Sequence, residues 1–241
     1  VFVTGLGAIT PVGLDIVDTW DALISGKSGI GRITSFDAEN YKTQIAAEVT
    51  NFEPADYIEK KQIRRLDRFV QLAIGAALQA VDHSKLEINQ SNSARIGVMI
   101  ASGIGGIITI SNQLEVLAEK GPNRVSPFFV PMMLPDMASG QVSMTIGARG
   151  PSIATVSACA SGADSIGAAF TQLQSDDLDI IIAGGTEAAI CPIGIAGFNA
   201  CHALSKNNDN PTQASRPFDA GRDGFVLGEG AAILVLESKE S

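Results

Sequence analysis

A cysteine lies between an apolar run and a helical pattern in Ala154-Thr155-Val156-Ser157-Ala158-Cys159-Ala160-Ser161-Gly162-Ala163, with small side chains on either side. A sharp turn at such a strand-to-helix junction would present the sulfur outward. A thiol at a helix N-terminus faces the positive end of the helix dipole and unpaired backbone N–H groups, which favour a thiolate and can cradle a developing oxyanion. Both effects promote acyl transfer. Spacing alone leaves a second reading equally open, in which Cys159 is a small buried core residue, the commoner fate of a lone cysteine.

The other reactive side chains form no constellation by spacing. Cys191 and Cys201 make the cysteine count odd, and no CxxC pair occurs, which argues against a disulfide framework and a zinc site. The only histidines are His83, placed just beyond a helical pattern, and His202, next to Cys201. His83 reads as a helix C-terminal charge partner or a surface residue. Adjacent residues on a strand or helix point apart, so Cys201 and His202 do not read as a dyad. Gly5-Leu6-Gly7 follows a strand as a dinucleotide fingerprint would, but Thr10 and Pro11 stand where its third glycine belongs. Gly103, Gly105 and Gly106 are read as allowing a close backbone approach around a bound chain.

Lys61, Arg64, Arg65 and Arg68 recur at helical spacing, with Lys60 adjacent. Like charges three and four residues apart repel along a helix, so an acidic partner for this stripe is weighed against a plain solvated face.

The elements that must position these groups are short apolar runs alternating with helical patterns. Val1–Val3, Ile96–Ile100, Ile153–Val156, Ile180–Ala183 and Ala232–Leu236 read as five strands, nearly continuous in apolar residues and hence covered on both faces. Ile58 to Val81 reads as one long amphipathic helix, through Ile63, Leu66, Val70, Ile74, Ala77 and Val81. Ile166, Phe170 and Leu173 mark a second helix, starting near Cys159 to Ala163. Gly121 to Pro135, with four prolines, reads as a long ordered loop. The expectation is a layered α/β domain over residues 1–241, with no linker dividing it.

Composition bounds the rest. At 241 residues with 18% charged and 5% aromatic, the core must be built from aliphatic side chains, Ala and Gly. A formal charge of −9 argues against general binding to nucleic acid or anionic membrane. Ile96 to Leu114 carries no charge and approaches the ~20 residues of a membrane span. Its glycines and polar residues favour a strand, a Gly loop and a helix start. The sequence opens on Val1-Phe2-Val3 without Met or a cleavage signature, so the true start is expected upstream.

Several blocks together resemble the β-ketoacyl-[acyl-carrier-protein] synthases of the type II kind. Thr155-Val156-Ser157-Ala158-Cys159-Ala160-Ser161-Gly162 is similar to their nucleophile motif, and Val3-Thr4-Gly5-Leu6-Gly7-Ala8-Ile9-Thr10-Pro11-Val12-Gly13 to their opening strand and loop. Ser126-Pro127-Phe128-Phe129-Val130-Pro131 looks like their interface loop. Ala183-Gly184-Gly185-Thr186-Glu187, Ala203-Leu204-Ser205, Ser215-Arg216-Pro217-Phe218-Asp219 and Asp223-Gly224-Phe225-Val226-Leu227-Gly228-Glu229-Gly230 follow in the family's order.

The resemblance implies a thiolase-like fold, of which this chain is the first of two pseudo-repeated halves, layered α-β-α around a five-stranded mixed sheet. It implies Cys159 as the nucleophile of a decarboxylative Claisen condensation between an acyl thioester and malonyl-acyl carrier protein, without metal or organic cofactor. By the same carry-over, Ile104, Phe129, Phe198 and His202 contact substrate, Phe129 from across a dimer interface. Lys61, Arg64, Arg65, Arg68 and Arg124 would dock the acidic acyl carrier protein. Ordinary core packing is the competing reading for the apolar members. A cytosolic or organellar homodimer is expected. The family's two catalytic histidines, its lysine and its Gly-Phe-Gly-Gly loop belong to the second half, and their motifs do not occur here. Two alternatives follow: an acyl-accepting, carrier-binding fragment without condensing activity, or a thiolase-like relative.

Overall fold

In the computed structural model, which describes residues 1–175 and 177–239, the apolar runs become a sheet wrapped by helices. The chain passes through β1 (Phe2–Ile9), α1 (Ile16–Ile24), the short strands β2 (Gly31–Arg32) and β3 (Ile45–Ala46), and then α2 (Lys60–Ile63) and α3 (Arg68–Ser84). After β4 (Ile96–Ala101) come α4 (Ile107–Lys120), α5 (Phe129–Met133), α6 (Met137–Ile146) and β5 (Ser152–Ile153). α7 (Ser161–Gln172), β6 (Ile180–Glu187), α8 (Pro192–Ala200) and β7 (Gly230–Glu237) complete it.

The sheet runs β1-β7-β6-β4-β5 and is mixed. β7 pairs antiparallel with both β1 and β6, whereas β4 pairs parallel with β6 and β5. Every residue of β4 is buried, as its unbroken apolar run requires of a strand covered on both faces. On one face, Phe69, Leu72, Ala76 and Ala80 of α3 pack with Ile9, Ile182 and Ile233, and α6 adds Ala138 and Val142. On the other, Ala169 of α7 packs with Met99, Ile181 and Leu236. The expected α-β-α layering and the five-stranded mixed sheet are both present. Each fully buried large aliphatic or aromatic side chain here contributes about 1.5–3 kcal/mol.

Several expectations are corrected. The first strand extends to Ile9 and takes in Gly5 and Gly7, where any Cβ would run into the Ala80 and Ala76 carbonyls of α3. These glycines therefore serve strand-to-helix packing. The single helix from Ile58 to Val81 is two. Asp67 adopts extended backbone and its carboxylate accepts the Phe69 N–H at 3.4 Å, starting a new helix at Arg68. His83 lies inside the last turn of α3, and its Nδ1 accepts the Leu6 N–H at 3.1 Å.

The proline-rich stretch is not wholly irregular. α5 forms within it because Pro131 falls in the first turn, where a helix N–H has no internal partner to lose. The strand expected over Ile153–Val156 is only Ser152–Ile153, and it is exposed at the sheet edge, with Val156 60% accessible. The β2–β3 ribbon went unforeseen because two-residue strands carry no periodicity. Between Ile96 and Leu114 the structure has the expected strand, glycine loop and helix start, and among the described residues no helix is long and apolar enough to cross a membrane.

Candidate active site

The turn that carries Cys159 is built from its neighbours. Ala158 sits in the left-handed region at φ 54°, a conformation that costs a residue with a Cβ about 1–2 kcal/mol and is kept only where the surroundings enforce it. Buried Ser161 supplies that enforcement. Its hydroxyl donates to the Ala158 carbonyl at 2.7 Å and accepts the Ser157 N–H at 2.9 Å, and its own carbonyl accepts from the Thr155 hydroxyl at 3.1 Å. One 3-10 turn over Ala158–Ala160 then runs straight into α7. Cys159 is exposed at this helix head, so the reading as a buried core cysteine is set aside. Cys191, by contrast, is buried, and desolvation pushes its thiol up.

α7 is held close to the sheet by two glycines. A Cβ on Gly185 would lie 2.9 Å from the Gly162 Cα, and one on Gly162 would lie 3.3 Å from the Gly185 Cα. Only bare backbone lets the first turn of α7 rest on β6 this closely. Deeper in α7, the Ser165 hydroxyl bonds the Met99 carbonyl of β4.

Cys159 opens into a cavity of about 580 Å³ that Ile104, Phe198, Phe225 and Leu227 also line. Phe198 on α8 meets Phe225 edge-to-face, with ring centroids 5.5 Å apart at 80°. The volume and apolar walls suit a small-molecule or acyl ligand. Two of the four carried-over substrate positions, Ile104 and Phe198, are thus brought together with Cys159. Phe129, half-buried at the start of α5, and exposed His202 lie outside the lining. His202 takes a left-handed conformation, φ 55°, after the last turn of α8, and its N–H bonds the Asn199 carbonyl at 3.1 Å.

One carboxylate in this cavity had no role in the sequence reading. Glu187 ends β6, and accepts the Ser102 hydroxyl and the Gly103 N–H at 2.9 Å and the Ile104 N–H at 3.2 Å. Burial pushes its carboxyl above the usual range, although these bonds oppose the shift. The available signal was a charged residue closing an otherwise apolar strand. Ser102, Gly103 and Ala158 crowd the same corner, where a Cβ on Gly103 would lie 2.9 Å from the Ala158 oxygen. The close approach required of Gly103 and Gly106 is therefore to protein backbone, at Ala158 and at Met132.

The basic stripe is partly dismantled. Lys61, Arg64, Arg65 and Arg124 are exposed, with Lys61 paired to Glu59 at 2.8 Å and the Arg65 guanidinium 4.6 Å above the Phe128 ring. Arg68 turns inward instead. It grips Glu229 with Nε and Nη2, both at 2.7 Å, and donates to the Val49 carbonyl at 2.7 Å. The Glu229 hydrogen bonds raise the arginine's pKa, against the opposing effect of burial. Beginning a new helix at Arg68 turns its side chain away from the others, so the expected surface stripe ends at Arg65.

The chain is similar to known proteins along its whole length. The chain is 54% identical over its full length to 3-oxoacyl-[acyl-carrier-protein] synthase 2 of Staphylococcus aureus and 48% identical to the Synechocystis protein of the same name, in each case spanning 58% of the relative's length. Among solved structures, it resembles a β-ketoacyl synthase from Burkholderia phymatum at 33% identity and TM-score 0.88, covering 99% of this chain and 59% of that one. It also resembles AntDE:AntF, described as a type II PKS acyl-carrier protein in complex with its ketosynthase bound to the hexaketide, at 29% identity and TM-score 0.78, covering 99% of this chain and 58% of that one. The family model for the β-ketoacyl synthase N-terminal domain matches residues 1–241, so the chain belongs to the β-ketoacyl synthase family and has its thiolase-like fold.

Proposed function

We propose that the full-length protein elongates acyl chains by decarboxylative Claisen condensation, with Cys159 as the acyl carrier. The observation that supports this most is an exposed thiol at the head of α7, opening into an apolar cavity. In the first half-reaction the Cys159 sulfur attacks the thioester carbonyl of acyl-acyl carrier protein. A C–S bond to Cys159 forms, and the carrier leaves as its thiol. In the second, malonyl-carrier loses CO₂ and the resulting carbanion attacks the Cys159 thioester, forming a C–C bond and releasing the sulfur. Splitting transfer from condensation lets one site handle two bulky carriers in turn.

On this reading Ile104 and Phe198 flank the acyl chain, Phe129 closes a partner protomer's tunnel in a homodimer, and His202 contacts the entering substrate. Lys61, Arg64, Arg65 and Arg124 dock acyl carrier protein, whereas Arg68 serves the fold. Imidazoles that drive decarboxylation lie in the second half, and the enzyme acts in the cytoplasm or an organelle. The test is to supply the full-length protein with acyl-carrier and malonyl-carrier. Release of CO₂ together with a 3-oxoacyl-carrier two carbons longer supports the reading. Acyl exchange without CO₂ release would favour an acyl-accepting role alone.

A further inference from the structure

We infer that Glu187 is a positioning residue for acyl-chain length, pinning Ile104 against the cavity beside Cys159; this rests on the acyl-carrier reading of that cavity. The segment from Ser102 to Gly106 links β4 to α4 and has no regular structure of its own. It is anchored at both ends. Glu187, from the rigid end of β6, holds its start through the Ser102 hydroxyl and the Gly103 and Ile104 N–H groups. Ser102 in turn accepts the Gly105 N–H at 2.8 Å, closing the turn on itself. At the far end the Gly106 N–H bonds the Met133 carbonyl of α5 at 3.1 Å. With Glu187 removed, the start of the segment loses these three hydrogen bonds, and Ile104 is held by its packing against the cluster of Ile190, Ile195 and Leu204 while the far end stays bonded to α5.

The carboxylate is placed to hold and not to take a proton from substrate, because both its oxygens already accept from this one segment. Glutamine can reproduce the arrangement. Its oxygen can accept the two N–H groups while its NH₂ donates to the Ser102 hydroxyl. Alanine cannot. The Gln and Ala variants therefore separate positioning from any need for charge.

The test uses full-length protein and measures alkylation of Cys159 by N-ethylmaleimide and N-dodecylmaleimide, with peptide mapping to separate Cys159 from Cys201. Loosening Ile104 admits the longer chain, so Glu187→Ala is expected to raise the dodecyl-to-ethyl ratio by about tenfold, within the coupling seen among residues that share a hydrogen-bond network. Glu187→Gln should stay near wild type. Adding Ile104→Ala to Glu187→Ala should change the ratio little further. If Glu187→Ala does not fold, Ser102→Ala should shift the ratio the same way to a smaller extent. Unchanged ratios in both Glu187→Ala and Ser102→Ala, or a Gln variant that shifts as far as Ala, overturn the assignment. Because maleimides need no carrier protein, failure of acyl transfer from acyl-carrier in the wild type would count against the proposed reaction separately.

Discussion

The Asp67 carboxylate caps two helices at once, through its contact with Thr109. Oδ2 accepts the Thr109 N–H at 2.8 Å and the Thr109 hydroxyl at 2.6 Å in the first turn of α4, while Oδ1 faces the Phe69 N–H in the first turn of α3. Both residues are buried. α3 carries one face of the core and α4 follows directly on the Ile104 segment, so this carboxylate ties the core to the cavity rim. Asp67→Ala leaves donors of both helices without a partner and is expected to cost about 2–4 kcal/mol, the sum of a lost cap and an unsatisfied buried group. Urea denaturation of the full-length protein measures it; a loss below 0.5 kcal/mol, well under this ~2 kcal/mol floor, would contradict the double cap.

The same carboxylate gives a pH prediction. Burial raises the Asp67 carboxyl above its ordinary 3.8, despite its hydrogen bonds. As pH falls from neutrality through that raised value, the folded state takes up a proton before the unfolded state does, so this group favours folding more strongly at lower pH. Asp179 has the opposite sign. Its bidentate bond to Arg95, 2.7 Å on each oxygen, holds it below the ordinary range, and its contribution is lost only as pH falls through the lowered value. Asp67→Asn should therefore flatten the gain between pH 7 and the ordinary carboxylate range of about 4. A variant with the wild-type pH slope there would refute this.

Gly162 and Gly185 predict a link between packing and reactivity. Gly185→Ala places a Cβ against the Gly162 backbone, which must move and carry the turn of Cys159 with it. A cost of about 1–3 kcal/mol is expected, as for overpacking elsewhere, together with slower iodoacetamide alkylation of Cys159. Unchanged stability and rate would show that the helix head does not depend on this contact.

Two arginines close in sequence should behave differently. Arg64→Glu with Arg65→Glu is expected to weaken acyl carrier protein binding in a low-salt titration, where screening is least. Arg68→Met should leave that affinity unchanged and instead destabilise the fold by about 3 kcal/mol, because Glu229 would remain buried without its partner. Equal losses of affinity in both proteins would return Arg68 to the docking surface.

The sheet order was not written in the sequence, but strands β1, β4, β6 and β7 were, at least in part, because continuous apolar runs leave a clear local signal. The short β2, β3 and β5 do not, and the small residues around Cys159 marked a helix start without deciding between an exposed and a buried thiol. What escaped was decided by single polar contacts at long range. Asp67 fits a helical repeat as well as it fits an N-cap, and only Thr109, 42 residues away, settles which it is. Arg68 shares its spacing with three exposed basic residues, and only Glu229, 161 residues away, turns it inward. Glu187 lay within a recognised block, yet its partners on another strand's loop carry no pattern in the chain.

Intact-mass spectrometry of the full-length protein after incubation with long-chain acyl-acyl carrier protein tests the role of the thiol directly. A single acyl adduct on the wild type and none on Cys159→Ala is the expected result. An adduct that survives in Cys159→Ala, or a wild type that never acquires one, would contradict it.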